Sequence, residues 1–499
     1  MSYFVRFRQV HIQSANTHIG GFMSGATEHS PHPRDVGFSI TRRQLIGGAS
    51  AASLAALLAA CGSDAKKSDS TTAAPTTTAA AAAPTTAATT EATTAATTAA
   101  TTAATEEPAS SAAGTPAGGQ VTFGSNYSDD KDSRAIKAAL DASGLDVKIN
   151  TTDHNGFQDN ITNYLAQPDD VFTWFAGYRT RFFADKGLIG DISDLWADFG
   201  DYSDSFKAAS TGNDGKQYFV PFYYYPWAIH YRKSVFAEKG YSIPTNKDEL
   251  MALATKMQAD GLIPFAYAND GKWPVQGTFD ILNMRLNGYQ YHVDLLAGKE
   301  SWTDPKTKAV FTMWASLLPF HQENANGRTW QEAATAFEKK EAGMYYLGTF
   351  VANNSTDQEY LDDLDFFNFP ELDPAIGADA LDAPIDGFLM AADPKNADGA
   401  KELLKALAGP DTINAFLAVQ GSSVAANSTA DVSGYTKIQT KSAELVSKAK
   451  SIAQFLDRDT SPDFVSNVIG DAFAAFVADP SQVDSILSSI EEQKSTYLS

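Results

Sequence analysis

The lone cysteine, Cys61, lies in a sequence context that favours covalent modification of its thiol. It follows the small residues Ala59 and Ala60, which let a peptidase approach the backbone, and the thiol can then accept a lipid. Upstream, Arg42 and Arg43 precede an apolar run of about a dozen residues, shorter than the roughly 20 that a membrane-spanning helix needs. These features predict an export signal cut at Cys61, and the paired arginines favour the twin-arginine (Tat) route.

Most other kinds of site chemistry are disfavoured by the composition. A chain with one cysteine forms no internal disulfide and no cysteine-based zinc site. Its eight histidines are scattered, without an H-E-x-x-H spacing. The formal net charge is −22, from 38 basic and 60 acidic residues, and such a surface repels nucleic-acid phosphates. We therefore predict no metal, no cofactor and no nucleic-acid partner.

Aromatic residues are concentrated near predicted strand ends and loops, where they do not follow the spacing of a helical core. They are Trp174, Tyr178, Tyr223, Tyr224, Tyr225, Trp227, Trp273, Trp330 and Phe350. In open α/β sheets ligands bind outside the carboxyl ends of the strands. Flat rings suit the apolar face of a sugar, and Asp, Asn, Gln and Arg side chains bind its hydroxyls. The pattern indicates carbohydrate binding, although the same rings could be ordinary core aromatics.

Strands alternate with helices from residue 118 onwards. Residues 121–124, 147–149 and 170–175 are apolar, β-branched or aromatic runs that are typical of strands buried on both faces. Intervening helical patterns predict a parallel sheet. About 380 residues of this pattern exceed one hydrophobic core, so we expect an α/β protein with two lobes.

The segment between the leader and this folded part has a very different composition. Residues 62–117 are almost entirely Ala, Thr, Pro, Ser and Glu, with few side chains large enough to bury. Burial therefore cannot offset the entropy of ordering them. We predict a disordered linker that holds the folded part away from the membrane.

Four segments, in this order, resemble the extracellular solute-binding proteins (family 1) of ABC transporters, in their sugar-binding class. They read PDDVFTWFAGYRTRFFADKGLIGDISDLW from Pro168, then GKQYFVPFYYYPWAIHYRKSVFAEKGY, FEKKEAGMYYLGTF and, from Asp386, DGFLMAADPKNADGAKELLKAL. The resemblance implies a periplasmic-binding-protein-like fold, with two hinged α/β lobes joined by several strand crossings. The domains expected are a leader over 1–61, a linker over 62–117, a first lobe over 118–223 and 388–453, and a second lobe over 224–387 and 454–499.

The resemblance also implies which residues bind the ligand. Trp174 occupies the position where family members stack a sugar, and Phe350 stands where the family often has Trp. The full set expected is Trp174, Tyr178, Arg179, Tyr224, Tyr225, Trp227, Trp273, Gln276, Phe350, Asp386, Arg458, Asp459, Asn126 and His154.

Three functions stay open at this point. The favoured one is non-enzymatic: a monomeric lipoprotein, anchored to the outer face of the cell membrane, captures a mono- or oligosaccharide and delivers it to the permease subunits of an ABC transporter. A secreted glycoside hydrolase would need two carboxylates roughly 5–10 Å apart across the cleft. A binder of a non-sugar solute, such as an amine or a peptide, could use Asp386 with Tyr225 and Trp227 as an aromatic box.

Overall fold

The structure is a computed structural model that describes residues 119–199 and 202–498. The predicted leader, Cys61 and the predicted linker lie outside the described residues. Within the described ranges, no helix combines the length and the apolar character that crossing a bilayer requires.

The described residues form twelve strands and nineteen α-helical segments. The strands are β1 (Val121–Ser125), β2 (Val147–Thr151), β3 (Val171–Phe175), β4 (Phe219–Tyr224), β5 (Trp227–Arg232), β6 (Ile263–Phe265), β7 (Ala342–Gly348), β8 (Leu364–Phe367), β9 (Ala380–Asp382), β10 (Ile385–Met390), β11 (Val424–Ala425) and β12 (Ser451–Ala453). The helices are α1 (Asp130–Ala142), α2 (His154–Asp159), α3 (Ile161–Tyr164), α4 (Tyr178–Asp185), α5 (Asp204–Ala209), α6 (Lys233–Lys239), α7 (Lys247–Ala259), α8 (Pro274–Asn287), α9 (Tyr289–Leu296), α10 (Pro305–Leu317), α11 (Trp330–Glu338), α12 (Gln358–Asp363), α13 (Ala397–Ala408), α14 (Pro410–Gln420), α15 (Lys437–Lys448), α16 (Leu456–Asp459), α17 (Pro462–Phe464), α18 (Gly470–Ala478) and α19 (Val483–Tyr497).

The first lobe is built on a six-stranded sheet in the order β11-β4-β10-β3-β1-β2. Strand β1 pairs in parallel with β2 and β3, as the apolar runs predict, whereas β10 is antiparallel to both of its neighbours. Every residue of β3 and β10 is buried, because helices cover both faces of the sheet.

The second lobe contains a four-stranded sheet in the order β6-β7-β5-β8. A separate pair, β9 with β12, lies where the chain passes back towards the first lobe. Strand β4 of the first sheet leads to β5 of the second with only Tyr225 and Pro226 between them. The chain therefore crosses between the lobes at a row of aromatic residues.

A bulge in β10 sets the position of Asp386. The register between β10 and β4 shifts between Asp386 and Gly387. Gly387 lies so close to β4 that an added β-carbon would be 1.9 Å from the carbonyl oxygen of Val220. Only glycine permits this approach, and the bulge turns Asp386 towards the space between the lobes.

Candidate ligand-binding site

A cavity of about 230 Å³ lies where the ends of the first sheet face the second lobe. First-lobe residues on its wall include Asn126, Asp132, His154 and Phe175; second-lobe residues include Trp227, Trp273, Trp330, Phe350, Asp457 and Arg458. Typical drug-sized ligand sites measure roughly 300–1,000 Å³. The volume therefore suits one small ring better than a chain of several.

Aromatic rings from both crossings form one wall of the cavity. Phe350 packs edge-on against Tyr225 at 5.4 Å between ring centroids and against Trp330 at 5.2 Å. Trp227 meets Trp273 at 6.3 Å in a T-shaped arrangement. Each ring holds the next in place, so the wall is preorganised with apolar faces for a ligand.

Beside these rings, Arg458 is the centre of a buried polar network. Its Nη1 donates to Asp386 Oδ1 at 2.6 Å, and its Nη2 donates to the Tyr225 hydroxyl at 3.0 Å. The guanidinium carbon lies 3.8 Å from the ring centroid of Phe175. Burial raises the pKa of Asp386, and the adjacent guanidinium opposes that rise. Arg458 itself stays protonated: burial lowers its pKa, but the attraction of Asp386, Tyr225 and Asp457 together outweighs burial and raises it.

A second polar chain runs through His154 in the first lobe. Arg179 Nη1 donates to Gln158 Oε1 at 2.9 Å, and Gln158 Nε2 lies 2.8 Å from His154 Nε2. Because a guanidinium can only donate, Gln158 must turn its oxygen to Arg179 and its NH2 to His154. On the other side of the ring, His154 Nδ1 lies 3.2 Å from Nδ2 of Asn126. Burial lowers the pKa of His154 to about 4, so the ring is neutral at pH 7.

The segment before Arg458 is held in a strained conformation. Phe455 has φ +98°, a left-handed value that is rare for an aromatic residue, and it stacks on Trp227 at 4.7 Å. The next amide, of Leu456, donates to Asp280 Oδ2 at 2.7 Å inside the second lobe. Strain of this kind persists only where the surroundings enforce it, and it is frequent at ligand sites.

Two further hydrogen bonds join the lobes at the cavity wall. Asn353 Nδ2 donates to Asp132 Oδ1 at 3.1 Å, and Gln331 Nε2 lies 3.3 Å from Asp129 Oδ2. Burial, followed by repulsion from Asp129, raises the pKa of Asp132 to about 7. The protonation of the Asp132 carboxyl group is therefore linked to how closely the two lobes approach each other.

The structure brings together most, but not all, of the predicted site residues. Those on the cavity wall are Asn126, His154, Tyr225, Trp227, Trp273, Phe350, Asp386 and Arg458; those away from it are Trp174, Tyr178, Arg179, Tyr224, Gln276 and Asp459.

Trp174 lies instead in the core of the first lobe. Only 1% of its surface is exposed, and its ring packs against Phe157 and Phe183. The alternation of side chains along β3 turns the following residue, Phe175, towards Arg458.

The other five residues away from the wall have local partners. Tyr178 stacks on Phe182, and Tyr224 packs on Phe206. Gln276 donates to the Lys272 carbonyl oxygen, Asp459 accepts from the Gln454 amide, and Arg179 acts through Gln158.

Several residues on the wall were not predicted. They include Asp132, Phe175, Trp330, Phe455 and Asp457. Trp330 was among the aromatics picked out by composition, and Asp457 is adjacent to Arg458. Phe455 gives no sequence signal, because its importance comes from its φ angle.

Comparison with known proteins places these features in a wider group. A family model described as "bacterial extracellular solute-binding protein" matches residues 124–413. An uncharacterised ABC transporter extracellular-binding protein of Pyrococcus horikoshii is 25% identical over 269 residues, which cover 52% of this chain and 58% of that protein. The diacetylchitobiose-binding protein DasA of Streptomyces coelicolor is 33% identical over 107 residues, covering 21% of this chain and 25% of DasA. The chain thus matches less than two thirds of the length of either curated relative.

Solved structures align over longer stretches. The bacterial solute receptor AcbH is 44% identical with a TM-score of 0.74, and the alignment covers 76% of this chain and 99% of AcbH. AcbH is described as having an exclusive substrate preference for β-D-galactopyranose. A chitin oligosaccharide-binding protein, 20% identical with a TM-score of 0.68, covers 76% of this chain and 99% of its own and shows the shared fold alone. These similarities confirm the predicted two-lobed α/β fold.

Proposed function

This chain belongs to the bacterial extracellular solute-binding protein family, and from that membership we propose that it captures one pyranose ring between its lobes and delivers it to an ABC transporter. The family is one of exported receptors. A single sugar ring, with β-D-galactopyranose as the first candidate, is the ligand that agrees with both the cavity and the 44% identity to AcbH.

The observation that carries the proposal is the pairing of apolar ring faces with a fixed polar network in a small cavity. The rings of Trp227, Trp273 and Phe350 offer stacking faces for the C–H side of a sugar. Arg458 and Asp386, whose charges balance each other, offer donors and acceptors to hydroxyl groups. About 230 Å³ leaves room for one ring.

Isothermal titration calorimetry with a panel of sugars tests this proposal. We expect D-galactose to bind with a micromolar or lower Kd and N,N′-diacetylchitobiose to bind at least about tenfold more weakly, because a second ring exceeds the cavity. Tight binding of a polyamine or a peptide, with no sugar bound, would refute the proposal.

We propose binding without hydrolysis. A glycosidase needs a free general acid and a free carboxylate on opposite sides of the bond. The family to which the chain belongs is one of solute receptors, and Asp386 is held in an ion pair by Arg458 at 2.6 Å. Release of reducing sugar from an oligosaccharide would contradict this part of the proposal.

We further propose that Cys61 carries a lipid, that export follows the Tat route and that residues 62–117 tether a monomeric receptor near its permease. The support is the sequence context of Cys61, the paired arginines and the Ala/Thr-rich composition. Mass spectrometry of the mature N-terminus, which would reveal an unmodified cysteine, is the measurement that could exclude the anchor.

The affinity should depend on pH through Asp132. The closed cavity raises the pKa of Asp132 to about 7, so closure takes up a proton. This contribution to closure is complete below the carboxyl's ordinary pKa near 4 and is lost as the pH rises through about 7. We expect Asp132→Asn to bind galactose about 3- to 10-fold more tightly than the unmodified protein at pH 8, with an advantage that is smaller at pH 5 and vanishes below pH 4.

The ratio of the two Kd values, measured by calorimetry at each pH, is the informative quantity. Burial lowers the pKa of His154 to about 4. Protonation of His154 affects the affinity of both proteins equally, so it cancels in the ratio of the two Kd values. A ratio that is the same at pH 5 and pH 8 would show that Asp132 does not couple protonation to closure.

A further inference from the structure

We propose that Asp457 is the specificity-determining residue of this site: a buried carboxylate on the cavity wall that accepts hydrogen bonds from ligand hydroxyl groups and so selects an uncharged polyol. The inference rests on the proposed function and adds the group that recognises the hydroxyl groups of the ligand. Asp457 is 5% exposed and belongs to the cavity wall.

The carboxylate of Asp457 has no hydrogen-bond donor within residues 119–199 and 202–498. Its Oδ1 is fully buried and without a partner. The nearest cation, Arg458 Nε, is 3.7 Å away, beyond hydrogen-bonding distance, while the rest of that guanidinium is engaged by Asp386 and Tyr225. A buried carboxylate left without donors is costly, and a ligand that supplies donors removes the cost.

Three other acids on or near the wall already have partners in the protein. Asp386 accepts from Arg458, Asp132 accepts from Asn353, and Asp459 accepts from the backbone of Gln454. Among these carboxylates, Asp457 is the one that receives no hydrogen bond from the described residues.

The charges around Asp457 favour hydroxyl donors over an ammonium group. Two buried guanidinium groups, Arg458 and Arg179, interact electrostatically with Asp457. A cation placed at Asp457 would meet the repulsion of these two guanidinium groups, although Asp129, Asp132, Asp153 and Asp270 also lie on the wall. A neutral hydroxyl can donate to Asp457 without changing the net charge.

The backbone holds Asp457 in place before any ligand arrives. Phe455, with φ +98°, and the Leu456 amide bound to Asp280 Oδ2 at 2.7 Å fix the chain just ahead of it. A preorganised acceptor loses little entropy on binding, so its contribution appears in the affinity and in the choice of ligand.

The test measures the Kd of D-galactose and its four monodeoxy analogues, lacking the hydroxyl at C2, C3, C4 or C6, by calorimetry. The proteins are the unmodified chain, Asp457→Asn, Asp457→Ala and the matched control Asp463→Asn, whose side chain is exposed. We expect Asp457→Asn and Asp457→Ala to bind galactose about 10- to 100-fold more weakly and Asp463→Asn to be unchanged. At least one deoxy analogue should bind the unmodified protein about 10- to 100-fold more weakly than galactose, and Asp457→Ala should no longer distinguish it from galactose.

Two results would overturn the role of Asp457 while leaving the proposed function intact. One is galactose binding with equal Kd by Asp457→Asn and Asp463→Asn. The other, which needs no variant, is equal binding of galactose and all four deoxy analogues by the unmodified protein. Absence of any sugar binding by the unmodified protein would instead refute the proposed function. Thermal unfolding checks that the isosteric Asp457→Asn variant is folded.

Discussion

Replacement of Arg458 by methionine is expected to lower the free energy of unfolding by about 3–5 kcal/mol and to abolish galactose binding. Arg458 is 7% exposed, and its guanidinium donates to Asp386 and Tyr225. Methionine fills a similar volume but leaves the Asp386 carboxylate buried without a counter-charge, which is the costly arrangement. It also removes the cation that lies 3.8 Å from the Phe175 ring. Urea denaturation measures the stability, and calorimetry measures the binding.

Two further variants separate the structural role of Arg458 from its role in binding. In the double variant Arg458→Met/Asp386→Leu both charges are gone, so most of the stability should return while galactose still does not bind. Arg458→Lys keeps the charge but cannot reach Asp386 and Tyr225 together, so we expect an intermediate loss of affinity. Recovery of binding in the double variant would show that the ion pair serves folding alone.

Much of the fold could be predicted because its signals are local. Strands β1, β2 and β3 are continuous apolar runs, and their parallel pairing is present in the structure. The antiparallel β10 could not be foreseen from its own sequence. Its direction depends on the chain returning from the second lobe, and the bulge at Asp386 depends on the approach of Val220. Such features are set by tertiary contacts between distant segments.

The site was harder to predict because one residue along a strand changes the face that a side chain occupies. Trp174 was expected to contact the ligand, yet the structure puts it in the core and puts its neighbour Phe175 on the cavity wall. Of the residues expected at the lobe crossing, Tyr225 and Trp227 lie on the wall and Tyr224 does not. Contact of any of these residues with a ligand stays a prediction.

Replacement of Trp227 by alanine should lower the free energy of unfolding by about 3–5 kcal/mol and weaken galactose binding by about tenfold or more. The indole is 2% exposed, stacks on Phe455 at 4.7 Å and contacts Tyr346 at 5.7 Å. Its loss leaves a void between the crossing strand β5 and the strained segment that precedes Arg458. Trp227→Phe retains a ring in this position and should lose less than half as much stability, as measured by urea denaturation.

The helix residue Gly277 offers a sharper test of this packing through a double-mutant cycle. A β-carbon at Gly277 would lie 2.6 Å from Cζ3 of Trp227, so Gly277→Ala alone should destabilise the protein by about 1–3 kcal/mol despite the better helix propensity of alanine. In the Trp227→Ala background the clash with Trp227 is absent and the new methyl group occupies part of the void, into which Phe455 Cε2, 2.9 Å from the new β-carbon, must still shift. The same substitution should then be less destabilising, with a coupling energy of at least about 1 kcal/mol. If the effects of the two substitutions on the free energy of unfolding are additive, the Trp227 ring does not pack tightly against α8. Other contacts would then have to hold Phe455 in its strained conformation.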